Sequence, residues 1–409
     1  MEKKCRFCNE GLDLTFADLG TSPLSNSFLK KFNLNKKESI FPLHAYVCRN
    51  CFLVQLEEFK SPDKIFNDYA YFSSYSETWI THAKEYVNNI VKRFNFNHNN
   101  FVIEIASNDG YLLQNFQKKN IPCLGVEPAE NVAEEAKKKG IKTLVKFFGK
   151  DTAKNISINQ RKADLLLGNN VLAHVPDINN FVEGMKILLN SDGIITMEFP
   201  HLMQLIEKNQ FDTIYHEHFS YLSLYTVIQI FEKYNLKIFD VDELETHGGS
   251  LRIYATHVEN SIHIVNDSVK KLLEKEINFG ITDISTYKNF QENIIKIKNQ
   301  LLNFMIKTKN EKKKIVCYGA AAKGNTLLNY CNIGLDNIDY VVDRSLYKQG
   351  MYLPGSHIPI KPVDEIKKTK PDYVLILPWN LQKEILEQIS FIRNWGGKFV
   401  IPIPEVQIL

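Results

Sequence analysis

The stretch FVIEIASNDGYLLQNF, residues 101–116, decides the fold of the longest segment of this chain. It starts as an apolar run typical of a buried strand, continues through a turn of small and polar residues, and then reads as the start of a helix. The same pattern recurs downstream, with further strands predicted at 121–128 and 192–200 and a strand followed by its loop at 163–175. Short strands that alternate with helices of roughly 10–15 residues are typical of a parallel, doubly wound sheet. We therefore predict an α/β fold.

Length and composition limit the classes of protein to consider. A chain of 409 residues is too long for one core, so two or three domains are expected. The formal net charge of +3 is too small to indicate nucleic acid or an acidic membrane surface as a partner. No apolar run approaches the ~18 residues of a membrane span, and MEKKCRFCNE has no apolar signal core. We expect a cytoplasmic protein.

The strand and helix patterns divide the chain into four parts. A small module is predicted for 1–70, a Rossmann-like domain for 71–262, a helical connector for 263–313, and a second Rossmann-like domain for 314–409. In the last part, strands are expected at the start of KKIVCYGAAAKGNTLLNYC and within 339–344 and 372–379. The apolar face of the connector is predicted to consist of Ile294, Ile295, Ile297, Leu301, Leu302 and Met305.

The first module carries two C-x-x-C pairs, CRFC and CRNC. Their cysteines are Cys5, Cys8, Cys48 and Cys51. In a reducing compartment such pairs indicate a metal rather than disulfides, and four thiolates form the closed shell of a structural zinc ion. The 39 residues between the pairs exceed the usual spacing of roughly 15–20 residues, but each pair is intact. We predict structural zinc; the alternative is four unliganded cysteines in a small β-rich module that packs on its neighbour.

The turn after the strand at 101–105 separates two possible cofactors. A strand, a turn and an acid about 20 residues later suit either NAD or S-adenosylmethionine (SAM), and Glu127 stands at the acid's place. NAD requires G-x-G-x-x-G for its pyrophosphate, whereas this turn has only Gly110 and carries Glu104 and Asp109. SAM has no phosphate and carries a sulfonium and an ammonium group, which acidic groups suit. The turn therefore favours SAM.

DTIYHEHFSYLS, residues 212–223, groups Tyr215, His216, Glu217 and His218. By themselves these residues fit a metal site, a proton-transfer site or a solvated patch. A regular strand would place Tyr215 and Glu217 on the face opposite His218, so we expect a turn here.

Three other features are ambiguous. His174 suits either a substrate-facing loop or a simple hydrogen bond to backbone. GAAAKGN (319–325), with Lys323, could bind an anion at a helix N-terminus or only allow close packing of strand and helix. The glycines of HGG (247–249) permit close backbone approach, and Arg252 could meet a phosphate.

Taken in order, several motifs resemble one family. They are the two C-x-x-C pairs, YFSSYSETW, EIASNDGYLL, GVEPA, NNVLAHVPD, YHEHFSYLS, HGGSLRIY and GAAAKGNTLLNY. Together they resemble the SAM-dependent C-methyltransferases of nucleotide-linked keto-deoxysugars, over nearly the whole chain. The resemblance implies a zinc-binding N-terminal module, a class I SAM-methyltransferase domain and a Rossmann-like C-terminal domain, with the nucleotide-sugar in the cleft between the last two.

The resemblance also assigns residues. Its catalytic residues correspond to Tyr215, Glu217, His218 and His174, and its active-site tyrosine to Tyr71 or Tyr75. We expect SAM to be bound by Glu104, Ala106, Asn108, Gly110, Tyr111, Leu112, Glu127, Pro128 and Asn169. We expect the substrate to meet Tyr71, Tyr75, His247, Arg252, Lys323 and Asn325.

The implied reaction begins with removal of the C3 proton of a 4-keto sugar, giving an enolate that accepts the methyl group. His218 is the predicted base, and His174 is its rival. The alternatives are O- or N-methylation of a related sugar, and an NAD-dependent dehydrogenase or epimerase. A monomer is compatible with the sequence, which does not fix the oligomeric state.

Overall fold

The computed structural model describes residues 3–61, 73–75 and 77–409, which form three sheets and the helices around them. The strands are β1 Leu14–Ser22, β2 Phe41–Val47, β3 Val54–Leu56, β4 Val102–Ile105, β5 Cys123–Val126, β6 Thr143–Leu144, β7 Ala163–Asn169, β8 Leu189–Pro200, β9 Ser220–Tyr221, β10 Leu236–Leu244, β11 Ser250–His257, β12 Ile315–Tyr318, β13 Val341–Val342, β14 Ile360–Lys361, β15 Tyr373–Ile376, β16 Lys398–Ile401 and β17 Gln407–Ile408. The α-helices are α1 Glu77–Phe94, α2 Leu113–Gln117, α3 Glu130–Lys138, α4 Lys150–Asn159, α5 Ile178–Leu188, α6 Leu202–Glu207, α7 Leu224–Glu232, α8 Asp267–Phe279, α9 Ile284–Asn310, α10 Ala322–Tyr330, α11 Glu365–Thr369 and α12 Gln382–Gln388.

The middle sheet has seven strands in the order β6-β5-β4-β7-β8-β11-β10. The pairs from β6 to β8 are parallel, and β11 runs antiparallel to both of its neighbours. The strands predicted from the sequence in this region are therefore present. Because the carboxyl ends of β4, β5, β7 and β8 lie along one edge, the residues that follow those strands gather there.

The N-terminal sheet is antiparallel, in the order β1-β2-β3-β9. Its fourth strand comes from a distant part of the chain, because β9 immediately follows the Tyr215–His218 segment and pairs with β3. Residues of the cysteine module, such as Cys5 and Leu53, share a buried cluster with Phe231 of α7. The cysteine module therefore packs on the middle domain.

The C-terminal sheet has the order β14-β13-β12-β15-β16-β17 and is parallel except for β17 at its edge. Helices α8 and α9 occupy the predicted connector. In α9, Ile294, Ile297, Leu301 and Met305 are buried as predicted and Leu302 is partly buried, but Ile295 is 45% exposed. The prediction for Ile295 was wrong, because a residue that follows a buried one is turned by about 100° around the helix. No helix in the described part of the chain is both long and apolar enough to cross a membrane.

Candidate functional site

The four cysteines of the N-terminal module converge on one point. Their Sγ atoms all lie within 4.8 Å of one another, and the Cys5–Cys51 and Cys8–Cys48 distances are 3.6 and 3.4 Å. Sulfurs at the corners of a tetrahedron with 2.3 Å zinc bonds are roughly 3.8 Å apart. The donor set and its size therefore fit zinc, and a shell of four thiolates leaves no open position for chemistry.

The zinc-binding loops are fastened to the middle domain. Thr226 of α7 donates a hydrogen bond from its hydroxyl to the Cys51 carbonyl at 3.1 Å, and Asn179 of α5 donates to the carbonyls of Arg6 and Phe7. Arg6 in turn donates to the Pro176 carbonyl at 2.7 Å. Pro176 lies two residues after His174 in the same loop. The zinc-binding module therefore contacts the loop that carries His174.

The turn after β4 adopts left-handed backbone conformations at three positions. The φ angles of Ala106, Asn108 and Gly110 are 55°, 49° and 75°. Gly125 on β5 allows this turn to approach, because a Cβ there would lie 2.3 Å from the Ser107 hydroxyl. A chain bent this tightly directs its polar groups to the carboxyl edge of the sheet.

Two buried carboxylates lie at this turn, and both oxygens of Glu104 lack a hydrogen-bond partner among the described residues. Burial, with the nearby charges of Glu127 and Asp109, raises the pKa of Glu104 well above its usual value. Glu127 accepts hydrogen bonds from the backbone N–H groups of Asn108 and Ala129 at 3.0 and 2.9 Å. A buried carboxylate without a hydrogen-bond or cationic partner lowers the stability of the fold. The unpaired oxygens of Glu104 therefore fit the ammonium group of SAM.

The other expected SAM-site residues lie around this turn and its neighbouring strand ends. Tyr111 and Leu112 are buried just after the turn, Pro128 follows Glu127, and Asn169 ends β7. The amide nitrogen of Asn169 has no partner in the described part of the chain. Their contact with SAM stays a prediction.

Residues 215–218 form a turn, as expected, closed by a hydrogen bond from the His218 N–H to the Tyr215 carbonyl at 2.9 Å. The turn brings the rings of Tyr215 and His218 to a centroid distance of 4.0 Å. His216 points elsewhere, with Nε2 3.1 Å from the Pro42 carbonyl oxygen. Within the described ranges, the cysteine cluster is the only group of three or more metal-ligating side chains, so the metal interpretation of His216–His218 finds no support.

The hydrogen bonds of His174 and His218 define their tautomers. His174 Nδ1 lies 2.8 Å from the Glu217 carbonyl oxygen, and His218 Nδ1 lies 2.9 Å from the Thr213 carbonyl oxygen. A carbonyl only accepts, so each Nδ1 carries the hydrogen and each neutral ring has its lone pair on Nε2. The centroids of the two imidazole rings are 4.7 Å apart, in an edge-to-face arrangement. The site therefore holds two neighbouring neutral bases.

Burial determines the charge state of this histidine pair. It lowers the pKa of His174 to about 4, and burial together with the nearby His174 lowers that of His218 well below its usual value. Both rings are therefore neutral at pH 7, which a proton-abstracting base requires.

Glu217 is 5% exposed, and its side chain meets the N-terminal module. The Asn26 amide donates to both carboxylate oxygens, at 2.8 and 2.9 Å. Burial raises the pKa of Glu217 to about 7, and the Asn26 hydrogen bond opposes that rise. The carboxylate therefore titrates near physiological pH.

Lys323 of α10 brings a cation to the same site. Its ammonium lies 3.2 Å from Asn380 Oδ1 and 4.7 Å from the centre of the Trp379 ring, whose Nε1 donates to Asp212 Oδ2 at 2.7 Å. Burial lowers the pKa of Lys323 to about 8, although the charge of Asp212 opposes this. Ala320 N–H, which would serve a bound anion, already donates to Asp343 at 2.8 Å, so Lys323 is the stronger part of the predicted anion site.

Arg252 is held in a buried network rather than free for phosphate. It pairs with Glu198, which is 0% exposed and also accepts from His82 and Thr246. With its guanidinium on this carboxylate, a phosphate role for Arg252 stays a prediction without structural support.

The remaining substrate-site residues are distributed as follows. His247, in a left-handed conformation with φ 56°, lies 2.8 Å from the amide nitrogen of Asn170. Asn325 is 1% exposed and donates to the Ser25 carbonyl at 2.6 Å, so it serves the interface with the N-terminal module. Tyr71 lies outside the described residues, as does the side chain of Tyr75.

Sequence reasoning missed Asn26, His82, Glu198, Asp212 and Trp379 as site residues. Glu198 and Asp212 carried a detectable signal, since Glu198 interrupts an apolar strand and Asp212 precedes the Tyr215 turn. Asn26, His82 and Trp379 carried none, because each reaches the site from a distant segment.

Comparisons with known proteins agree with this geometry. Three family models match: "Putative zinc binding domain" at 5–66, "Methyltransferase domain" at 79–241 and "C-methyltransferase C-terminal domain" at 245–404. C-methyltransferase NovU of Streptomyces niveus is 34% identical over 407 residues, which cover 99% of this chain and 96% of NovU.

Solved structures match the methyltransferase part at low identity. Magnesium protoporphyrin IX methyltransferase (ChlM) from Synechocystis PCC 6803 with bound SAM is 12% identical, with 48% of this chain and 88% of that one covered and a TM-score of 0.35. A SAM-dependent methyltransferase from Clostridium acetobutylicum is 11% identical, with 44% and 92% covered and a TM-score of 0.34. Both TM-scores are low, so the assignment rests on the family models and on NovU. This chain belongs to the SAM-dependent C-methyltransferases, with a class I methyltransferase domain, an N-terminal zinc-binding domain and a Rossmann-like C-terminal domain.

Proposed function

We propose that this enzyme methylates C3 of a 4-keto-deoxysugar linked to a nucleotide, namely thymidine diphosphate, through an enolate. One observation carries the proposal: His218 and His174 both present an unprotonated Nε2 in a buried site. Methylation at carbon requires a carbanion equivalent, and a neutral base near the acidic C–H generates one. A 4-keto sugar supplies that C–H at C3, next to its carbonyl.

His218 is the proposed base, and its surroundings suit the role. Its Nδ1–H is fixed on the Thr213 carbonyl, which directs Nε2 away from the backbone. Removal of the C3 proton by Nε2 moves the electron pair of the C–H bond into the C3–C4 bond and places negative charge on the C4 oxygen. Tyr215, whose ring is tilted by 35° against that of His218, would donate from its hydroxyl to that oxygen.

SAM, when bound, supplies an electrophilic methyl group. Glu104 would hold its ammonium group, and Glu127 would accept hydrogen bonds from its ribose hydroxyls, as acids after the second strand do in related sheets. Glu104 lies on β4, between β5 and β7, and Glu127 directly follows β5. The two carboxylates therefore belong to neighbouring strands of the sheet. These residues orient the cofactor and take no part in moving the C3 proton.

Lys323 supports the nucleotide part of the proposal. It is a partly buried cation of the C-terminal domain that lowers the pKa of His218 and His247, and the charge of Asp212 acts on it without a salt bridge. A diphosphate would provide a direct anionic partner. The thiolate zinc site suits a reducing compartment, and we place the enzyme in the cytoplasm.

Proton exchange in D2O tests the enolate directly. The purified enzyme is incubated without SAM with a thymidine-diphospho-4-keto-6-deoxysugar, and C3–H and C5–H are followed by proton NMR. Loss of the C3–H signal with enzyme, but not in an enzyme-free sample, supports the proposal; selective loss of C5–H, which is also next to the carbonyl, would place the carbanion at C5 and contradict it. With SAM added, a new methyl signal on C3 is expected.

Matched variants assign the base. His218→Ala should reduce C3 exchange by at least about 100-fold, whereas His98→Ala, an exposed histidine far from the site, should leave it unchanged. Exchange that survives in His218→Ala and disappears in His174→Ala would transfer the role to His174. Methylation on oxygen or nitrogen with no C3 exchange would refute the enolate and favour an O- or N-methyltransferase.

A further inference from the structure

The N-terminal module contributes a loop, residues 23–29, that lies where all three domains meet. This loop follows β1 and contains two neighbouring residues with different partners. The Ser25 carbonyl accepts from Asn325 at 2.6 Å, and the Ser25 hydroxyl lies 3.4 Å from that of Thr326, both on α10. Asn26 faces Glu217 of the middle domain instead. The loop is therefore fixed to the C-terminal domain while it contacts the catalytic segment.

The contact between Asn26 and Glu217 is specific in its geometry. One amide nitrogen donates to both carboxylate oxygens, at 2.8 and 2.9 Å. An N–H donor shared by both oxygens stabilises the ionised carboxylate more than the carboxylic acid, so the contact favours the charged form of Glu217. The amide uses one side of the carboxylate, and the remaining lone pairs of Glu217 can accept from a substrate hydroxyl or amine.

We propose that Asn26 is a positioning residue of the active site: it orients the Glu217 carboxylate and keeps it an acceptor for a substrate donor. The role rests on the proposed function, because it concerns the same cleft. It makes the zinc-binding module a part of the active site, since the loop that carries Asn26 continues directly from β1 of that module.

The groups around Glu217 leave Asn26 as its dominant polar contact. The nearby titratable side chains on its own segment are Tyr215, His216 and His218; His174 packs against it from the loop after β7, and Lys323 is the cation of α10. Among the described residues, only the Asn26 hydrogen bond opposes the effect of burial on the pKa of Glu217. Its pKa, raised by burial to about 7, therefore responds mainly to the Asn26 hydrogen bond.

A titration without substrate tests the contact itself. Protein labelled with 13C at the glutamate carboxyl carbon is titrated by NMR, and the Glu217 signal is assigned by its loss in Glu217→Gln. The midpoint should lie near pH 7 in the wild type and about one pH unit or more higher in Asn26→Ala, because loss of a donor to the charged form favours the protonated form. Asn35→Ala, an exposed residue of the same module, is the control and should not shift it.

Kinetics test whether the contact matters for the reaction. The acid limb of kcat/KM should move to higher pH in Asn26→Ala, with activity at pH 7 about fivefold or more lower and recovering towards pH 9. In a Glu217→Gln background, the same Asn26→Ala change should have no effect on the pH profile. A merely structural role would instead lower activity equally at all pH values.

The outcomes separate this proposal from the proposed function. An unchanged Glu217 midpoint in Asn26→Ala, or a pH shift that persists in the Glu217→Gln background, overturns the role of Asn26. Absence of C3 exchange in the wild type would refute the enolate mechanism while the NMR midpoint still shows whether Asn26 controls Glu217.

Discussion

Replacement of Glu198 by Gln should destabilise the middle domain more than any surface change. Glu198 is fully buried at the end of β8 and accepts hydrogen bonds from His82 and Thr246 while it pairs with Arg252, which is 6% exposed. Gln has nearly the same shape but no charge. The substitution therefore leaves the Arg252 guanidinium buried without its counter-charge.

Two independent figures give the size of the effect. Burial by itself would raise the pKa of Glu198, but the His82 hydrogen bond and the Arg252 charge outweigh it and lower the pKa from 4.5 to about 2. That fall corresponds to about 3 kcal/mol of folding free energy, at about 1.4 kcal/mol per tenfold change in proton affinity. Breaking one side of a buried pair typically costs about 3–5 kcal/mol. At about 2–4 °C per kcal/mol, the melting temperature should fall by roughly 6–12 °C or more.

The sign of the pH dependence follows from the lowered pKa. The stabilisation from ionised Glu198 is fully present above about pH 4.5, the value for the unfolded chain, and is lost as the pH falls towards about 2. Glu198→Gln should therefore reduce stability most at pH 5–7, and its difference from the wild type should shrink in acid.

Urea unfolding followed by circular dichroism at pH 7 and pH 3, with excess zinc, measures both effects. Asp13→Asn, which breaks the exposed pair with Arg49, is the matched control and should leave the transition unchanged. A Glu198→Gln loss below about 1 kcal/mol at pH 7, or one equally large at pH 3, would contradict the reasoning.

Three further predictions follow from the zinc, SAM and anion sites. Cys48→Ser should lower bound zinc, measured by atomic emission, from one ion per chain to nearly none, whereas Cys123→Ser, outside the cluster, should retain it; full zinc in Cys48→Ser would contradict the assigned shell. Glu104→Gln should weaken SAM binding in calorimetry by about 10–100-fold and remove its decline towards acid pH, which the raised pKa of Glu104 predicts for the wild type; equal affinity would exclude Glu104 as a ligand. Thymidine diphosphate should bind with proton uptake at pH 8.5, seen as buffer-dependent calorimetric heats, because an anion raises the pKa of Lys323 from about 8; uptake that persists in Lys323→Met would assign the proton elsewhere.

Local patterns in the sequence predict the elements that depend on neighbours along the chain. The alternation of strands and helices, the two cysteine pairs and the turn at 215–218 all depend on short-range periodicity and residue type. The sequence predicts a turn because a straight strand would separate Tyr215 from His218, and the ring centroids of these two residues are 4.0 Å apart.

Contacts between distant segments could not be predicted in this way. Asn26 and Glu217 are 191 positions apart, and no local pattern distinguishes Asn26 from the other asparagines of this Asn-rich chain. The sequence predicts a phosphate role for Arg252 because its ion pair with Glu198 is not visible in the sequence. The two residues are 54 positions apart and face each other across the paired strands β8 and β11. Whether a charged side chain is buried against a partner can be determined only from the three-dimensional structure.

The pairing of β9 with β3 has a consequence for synthesis on the ribosome. The N-terminal sheet needs Ser220–Tyr221 to cover the edge of Val54–Leu56, yet these residues are translated long after the rest of that sheet. At roughly 5–20 residues per second, the nascent module waits on the order of ten seconds or more with an unpaired strand edge. Early zinc capture by the cysteine pairs would hold the module's fold during that interval and limit its association with other nascent chains.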